Sequence, residues 1–144
     1  MQRFDGYKRA LKEAGIPFRP ELVVSGDFRI QGGSQAMERL LCSPLNPSAV
    51  FICNDMMALG AMNCARRHGL SIPADVSIVG FDDIELAATI YPPLTTVAQP
   101  IDELAACATS LLIERLQGTR TDSNRVITLP VKLIVRESTA RKKI

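Results

Sequence analysis

The run Ala49-Val-Phe-Ile-Cys53, the segment Asn54-Asp-Met-Met-Ala-Leu-Gly-Ala61 and the run Val76-Ser-Ile-Val-Gly80 together decide the fold class. The first run is apolar, of strand length, and without polar alternation, the pattern of a strand covered on both faces in a parallel sheet. Val76–Gly80 reads as a second buried strand. Between them Asn54 or Asp55 caps a helix that reaches about Arg67 and is ended by Gly69.

The same alternation extends outward. Tyr7, Ala10, Leu11 and Ala14 recur at helical spacing until Gly15 and Pro17, so residues 3–14 read as a helix, and Glu21–Ser25 reads as a short strand. Ala36, Met37, Leu40 and Leu41 place a helix over Gln31–Leu41. Beyond Gly80 a long loop with Pro92 and Pro93 leads to an extended piece, Leu94–Val97. Pro100 opens a final helix through Gln117, ended by Gly118, and Val126–Val135 supplies a last strand region interrupted by Pro130. The expected fold is therefore α/β, with a largely parallel sheet flanked by helices.

With 144 residues the chain has room for one core, and its 17 basic against 15 acidic side chains give no field suited to non-specific nucleic-acid binding. No apolar run approaches the roughly 20 residues that span a bilayer. Cys42, Cys53, Cys64 and Cys107 stand far apart among apolar neighbours, with no CxxC pair and a single histidine, His68. They read as buried reduced thiols, with no metal site and no cofactor expected, as suits a cytoplasmic protein.

In open α/β sheets, ligands bind beyond the carboxyl ends of the strands. Three expected strand ends run into Gly26-Asp27-Phe28, Asn54-Asp55 and Phe81-Asp82-Asp83, each delivering a carboxylate. Asp82 and Asn54 can accept hydrogen bonds, Asn54 and Arg3 can donate them, and Phe28 can stack, a set that fits a sugar, polyol or nucleoside. Each has a second reading: Asp55 and Asp83 as local caps, Phe28 as core, Arg3 as a solvated side chain. No nucleophile with a partnered base is present in the pattern, so no catalytic residue is assigned and an enzyme is not expected. Gly32-Gly33 lacks the frame of a phosphate loop, and Arg66-Arg67-His68 reads as a solvated helix end.

Three motifs in order, Asn54–Ala61, Ile72-Pro-Ala-Asp-Val-Ser-Ile-Val-Gly-Phe-Asp-Asp83 and Pro92-Pro-Leu-Thr-Thr-Val-Ala-Gln-Pro100, resemble the C-terminal region of LacI/GalR-family transcriptional repressors. Arg3-Phe-Asp-Gly-Tyr7, Gly26-Asp-Phe28 and Leu129–Thr139 extend the likeness over nearly the whole chain. The resemblance implies the C-terminal lobe of a periplasmic-binding-protein type I fold, truncated on its N-terminal side, in a regulator that joins a DNA-binding headpiece to a two-lobed core. Residues 1–98 and 126–139 would form that incomplete lobe, 99–118 a crossover and a helix belonging with the other lobe, and 140–144 a tail.

By the same resemblance Arg3, Phe28, Asn54, Asp82 and Gln99 match effector-contacting positions, and Leu59, Met62, Asn63, Ile90 and Tyr91 match a homodimer interface. Leu59 and Met62 exposed together would favour the dimer, whereas burial would make them core. The helix after Ile101 is expected either to fold back on the lobe or to be covered by another copy, because Ile101, Leu104, Leu111, Leu112 and Leu116 form an apolar set. Without the family's opening strand the sheet would have an open edge, which favours association. Operator DNA would be bound only through a headpiece absent from this chain. The alternative is part of a periplasmic-type sugar-binding transport protein.

Overall fold

A computed structural model describes residues 2–118 and 126–141. The end of the basic tail, 142–144, lies outside the described residues. The chain runs as α1 (Gln2–Glu13), a 3-10 turn at Pro20–Leu22, α2 (Ile30–Leu41), β1 (Ala49–Phe51), α3 (Asp55–Arg67), β2 (Ser77–Asp82), α4 (Glu85–Thr89), β3 (Thr95–Ala98), α5 (Ile101–Leu116) and β4 (Lys132–Ile134). The sheet order is β1-β2-β3-β4, with β1, β2 and β3 mutually parallel and β4 antiparallel to β3. This is the α/β architecture expected from the alternating runs.

The core lies where α3 meets β2 on one side and α2 on the other. Met37, Ile52, Met57, Ala58, Ala61, Met62, Cys64, Ala65, Val76, Ile78, Ala87 and Leu94 form one buried cluster. Small residues let the helices close up: a Cβ on Gly60 would stand 1.8 Å from the Ile30 carbonyl oxygen, and one on Gly33 would stand 2.1 Å from that of Met57. The small stripe of α3 therefore meets α2 of its own chain, and Gly32-Gly33 is packing surface in α2.

Several expectations are corrected. Glu21–Ser25 is not a strand: Glu21 and Leu22 lie in the 3-10 turn, and among the described residues the rest joins no ladder. Among the described residues β1 is an edge strand with a neighbour on one side only, and Phe51 is 39% exposed. α4 occupies part of the expected loop, and the last strand region shrinks to Lys132–Ile134, past Pro130. Of the cysteines only Cys64 is buried; Cys42 is exposed, Cys53 and Cys107 are half-buried, and all four are free thiols.

Met62 is 1% exposed and belongs to the core, so it does not join Leu59 on an outer face, while Tyr91 is 81% exposed. α5 does not fold back on the sheet. It has no buried residue, and Leu116 is 78% exposed. Fully covering each such side chain is worth about 1.5–3 kcal/mol, so α5 presents a substantial unsatisfied apolar face.

Candidate functional site

The carboxyl ends of β1 and β2 converge with the start of α1. Arg3 spans the two strand ends: Nη1 donates to the Cys53 carbonyl, the guanidinium lies 3.8 Å from the centre of the Phe81 ring, and Nη2 stands 3.9 Å from Asp82 Oδ1. Gln99 Nε2 donates to the same Asp82 oxygen at 2.7 Å. Arg3, Phe81, Asp82 and Gln99 thus form one cluster, drawn from α1, β2 and the residue after β3.

Asn54 caps α3: its Oδ1 accepts the Met57 N–H at 3.0 Å, and its Nδ2 donates to the Phe28 carbonyl at 3.0 Å. One amide hydrogen remains for a ligand. That bond holds Phe28, which is 62% exposed and therefore a surface plate rather than core. Because Arg3 binds the carbonyl of Cys53, the residue before Asn54, the two groups adjoin through one peptide.

The backbone marks the same places. Phe28 (φ 63°), Asp82 (φ 117°) and Asp83 (φ 59°) are non-glycine residues at positive φ. Such conformations cost on the order of 1–3 kcal/mol each and persist where the surroundings hold them. At Asp83, Arg136 supplies the hold, donating to its Oδ1 at 2.7 Å and to the Leu94 carbonyl at 2.8 Å. Asp83 is therefore an ion-pair partner rather than a cap.

Asp55 is neither the cap nor a ligand contact. It is fully buried, accepting the Thr96 hydroxyl at 2.6 Å and the Ile84 N–H at 3.0 Å. It thereby ties α3, β3 and the turn after Asp82 together. Gly80 makes room for it, since a Cβ there would stand 2.1 Å from Asp55 Oδ1. Burial first, and the Asp55 charge, push the Asp82 carboxyl above its ordinary value, while the Gln99 bond and the Arg3 cation act the other way.

A separate apolar cavity of about 330 Å³ lies between the Leu22–Gly26 segment, β1 and α2, with Phe4, Tyr7 and Phe28 at its rim. Arg3, Asn54, Asp82 and Gln99 do not line it, and hydroxyl groups would find few partners there. The polar cluster is the better seat for a hydroxyl-rich ligand. Phe81 and Arg136 were not singled out from sequence. Phe81 sits inside the Gly80-Phe-Asp motif, but Arg136 reaches Asp83 across more than fifty residues, with no local signal.

Comparison with known proteins identifies relatives over nearly the whole chain. The profile described as "Periplasmic binding protein-like domain" matches residues 1–139. The chain is 44% identical over 137 residues to the HTH-type transcriptional repressor CytR of Escherichia coli K12, spanning 95% of this chain and 40% of that protein. It is 42% identical over 129 residues to the Ribose operon repressor of the same strain, spanning 90% of this chain and 39% of that one. A LacI family transcriptional regulator from Enterococcus faecium, solved with bound ribose, superposes with a TM-score of 0.83 at 38% identity, over 96% of this chain and 50% of that one.

The chain belongs to the family of periplasmic binding protein-like domains. Within it the chain falls with the LacI/GalR-type transcriptional regulators, and the part it matches is their effector-binding region. It spans about two fifths of the length of the curated relatives it matches. Among the described residues no helix is long and apolar enough to cross a membrane.

Proposed function

We propose that this chain is the effector-sensing and dimerising part of a cytoplasmic LacI/GalR-type repressor, binds a small hydroxyl-rich molecule and performs no catalysis. The observation that carries the reading is the convergence of Arg3, Asp82 and Gln99 at the strand ends, beside Asn54 and the exposed Phe28. Asp82 accepts ligand hydroxyls, Arg3 and the free Asn54 amide hydrogen donate, and Phe28 covers a C–H face or a base. Gln99 fixes the Asp82 carboxylate and contributes its amide oxygen. A pentose, hexose, polyol or nucleoside meets this set, and the bound ribose of the Enterococcus faecium relative is of that chemistry.

In the whole regulator the second lobe closes the other side of the ligand, and a DNA-binding headpiece contacts the operator. Effector and operator affinities are then reciprocally coupled through lobe closure. Leu59, Asn63, Ile90 and Tyr91 form the dimer face, and the exposed side of α5 with the open edge of β1 supports further burial against polypeptide. With half of a cleft, this chain alone binds effector weakly.

The test is calorimetric titration of sugars and nucleosides into a full-length regulator carrying this region and into the chain by itself. The expected result is saturable binding to the full-length protein only. Equally tight binding to the isolated chain would sink the two-lobed site.

A further inference from the structure

At the far end of α3 a second cluster stands apart from the effector residues, about 20 Å along the helix from Asn54. Cys64 and His68 are four residues apart and share one helix face. Glu38 projects from α2 between them: its Oε2 lies 2.8 Å from His68 Nε2 and 3.3 Å from Cys64 Sγ. The sulfur, ring nitrogen and carboxylate oxygen all lie within 4.8 Å of one another. From sequence a metal site was not expected, because Glu38 is remote from the pair and only the packing of α2 on α3 brings it in.

We propose that Glu38, Cys64 and His68 form a binding site for a zinc-type divalent cation. Thiolate, imidazole and carboxylate are the donor types of such ions, at about 2.3, 2.0–2.1 and 2.0–2.2 Å, so a tetrahedral ion needs donor separations of about 3.3–3.6 Å. Two of the three separations already stand within about half an ångström of that range, and the third, from sulfur to ring nitrogen, is at most 4.8 Å. His68 and Glu38 are exposed on their outer side, which leaves the fourth position to water. The two anionic donors offset the charge of the ion, and its binding releases the Cys64 thiol proton.

The backbone holds this site firmly. Gly33 and Gly60 fix the spacing of α2 and α3, and His68 caps α3 with its N–H on the carbonyls of Cys64 and Ala65. Arg67 sits alongside, donating to Ser34 Oγ at 2.7 Å; burial first, and the Glu38 carboxylate, push the Cys64 thiol above its ordinary value, with the Arg67 cation acting the other way, so the ion must displace a firmly held thiol proton. An ion here would clamp the C-terminal end of α3 to α2 and leave the effector end of the same helix untouched.

The test uses the reduced, chelator-treated chain titrated with Co²⁺, then with Zn²⁺ as competitor. One equivalent of Co²⁺ is expected to give a thiolate-to-cobalt charge-transfer band that Zn²⁺ abolishes, and Zn²⁺ is expected to raise the thermal midpoint. Cys64→Ser is expected to lose the band. Loss of a partner outside the coordination shell already weakens metal sites about 10- to 100-fold, so His68→Asn and Glu38→Gln are expected to weaken binding at least as much. Because Cys64 is buried, those two exposed positions carry the test if Cys64→Ser fails to fold. A wild-type chain without the charge-transfer band, a Cys64→Ser variant that keeps it, or His68→Asn and Glu38→Gln variants that bind as wild type would each overturn the proposal.

Discussion

Thr96→Val tests the buried hydroxyl–carboxylate contact that anchors the effector-side turn. The substitution keeps the volume of the side chain and removes the hydroxyl that donates to Asp55 Oδ1 at 2.6 Å, at a position with no exposure to solvent. A hydrogen bond to a charged group is worth about 1.5–3 kcal/mol, and the acceptor left behind cannot turn to water. With a urea slope of about 2 kcal/mol/M, the unfolding midpoint falls by about 1 M. Thr96→Ser keeps the hydroxyl and loses only a methyl, about 0.8 kcal/mol. Urea unfolding followed by circular dichroism ranks the three proteins wild type, Ser, Val. A Val variant as stable as the Ser variant would refute the role given to Asp55.

Other outcomes follow from the same contacts. Asp82 has a raised folded-state pKa, so its contribution to stability is present below its unfolded value and lost as pH rises through the folded one. Asp82→Asn is therefore expected to stabilise the chain at neutral pH, by an amount that shrinks as the medium becomes acidic; a urea midpoint lowered at pH 7 would contradict this. Gly60→Ala puts a Cβ 1.8 Å from the Ile30 carbonyl oxygen, and forcing α2 away from α3 costs about 1–3 kcal/mol or more, readable as a lowered thermal midpoint. Leu112→Glu with Leu116→Glu, both at exposed positions of α5, is expected to reduce self-association without changing the fold. Sedimentation velocity across a concentration series checks it, and an unchanged size distribution would count against α5 as a contact.

Much of the fold was legible because the signals are local. The run at Val76–Gly80, the cap at Asn54 and the stops at Gly69 and Gly118 depend on neighbours within a turn, and the structure keeps them. Glu21–Ser25 has the composition of a strand, but a strand exists only with a partner, and partnership is not written in a five-residue window. For the same reason β1 has the sequence of a doubly covered strand and the exposure of an edge. Met62 shows the reverse limit: helical spacing gives its position around α3, and only the packing of α2 and the sheet decides that it is inside.

The site divides along the same line. Asp82 and Asn54 lie at strand ends and are legible from topology, Phe28 was reached through an expected strand that does not form, and Gln99 was reached through motif resemblance. Arg3 is drawn in by the carbonyl of Cys53 and the ring of Phe81, contacts that join residues fifty and more positions apart. The support that Arg136 gives Asp83 likewise joins residues more than fifty positions apart. Glu38, Cys64 and His68 meet only because Gly33 and Gly60 let two helices touch.

The proposed seat of a hydroxyl-rich effector is the Arg3–Asp82–Gln99 cluster. The most direct measurement is calorimetric titration of ribose, hexoses and nucleosides into a full-length regulator carrying this region, alongside its Asp82→Ala variant. Losing a charged acceptor for ligand hydroxyls is worth about 1.5–3 kcal/mol, so the expected affinity is lowered about 10- to 100-fold or more. A bound sugar or nucleoside whose affinity is unchanged in Asp82→Ala would contradict it.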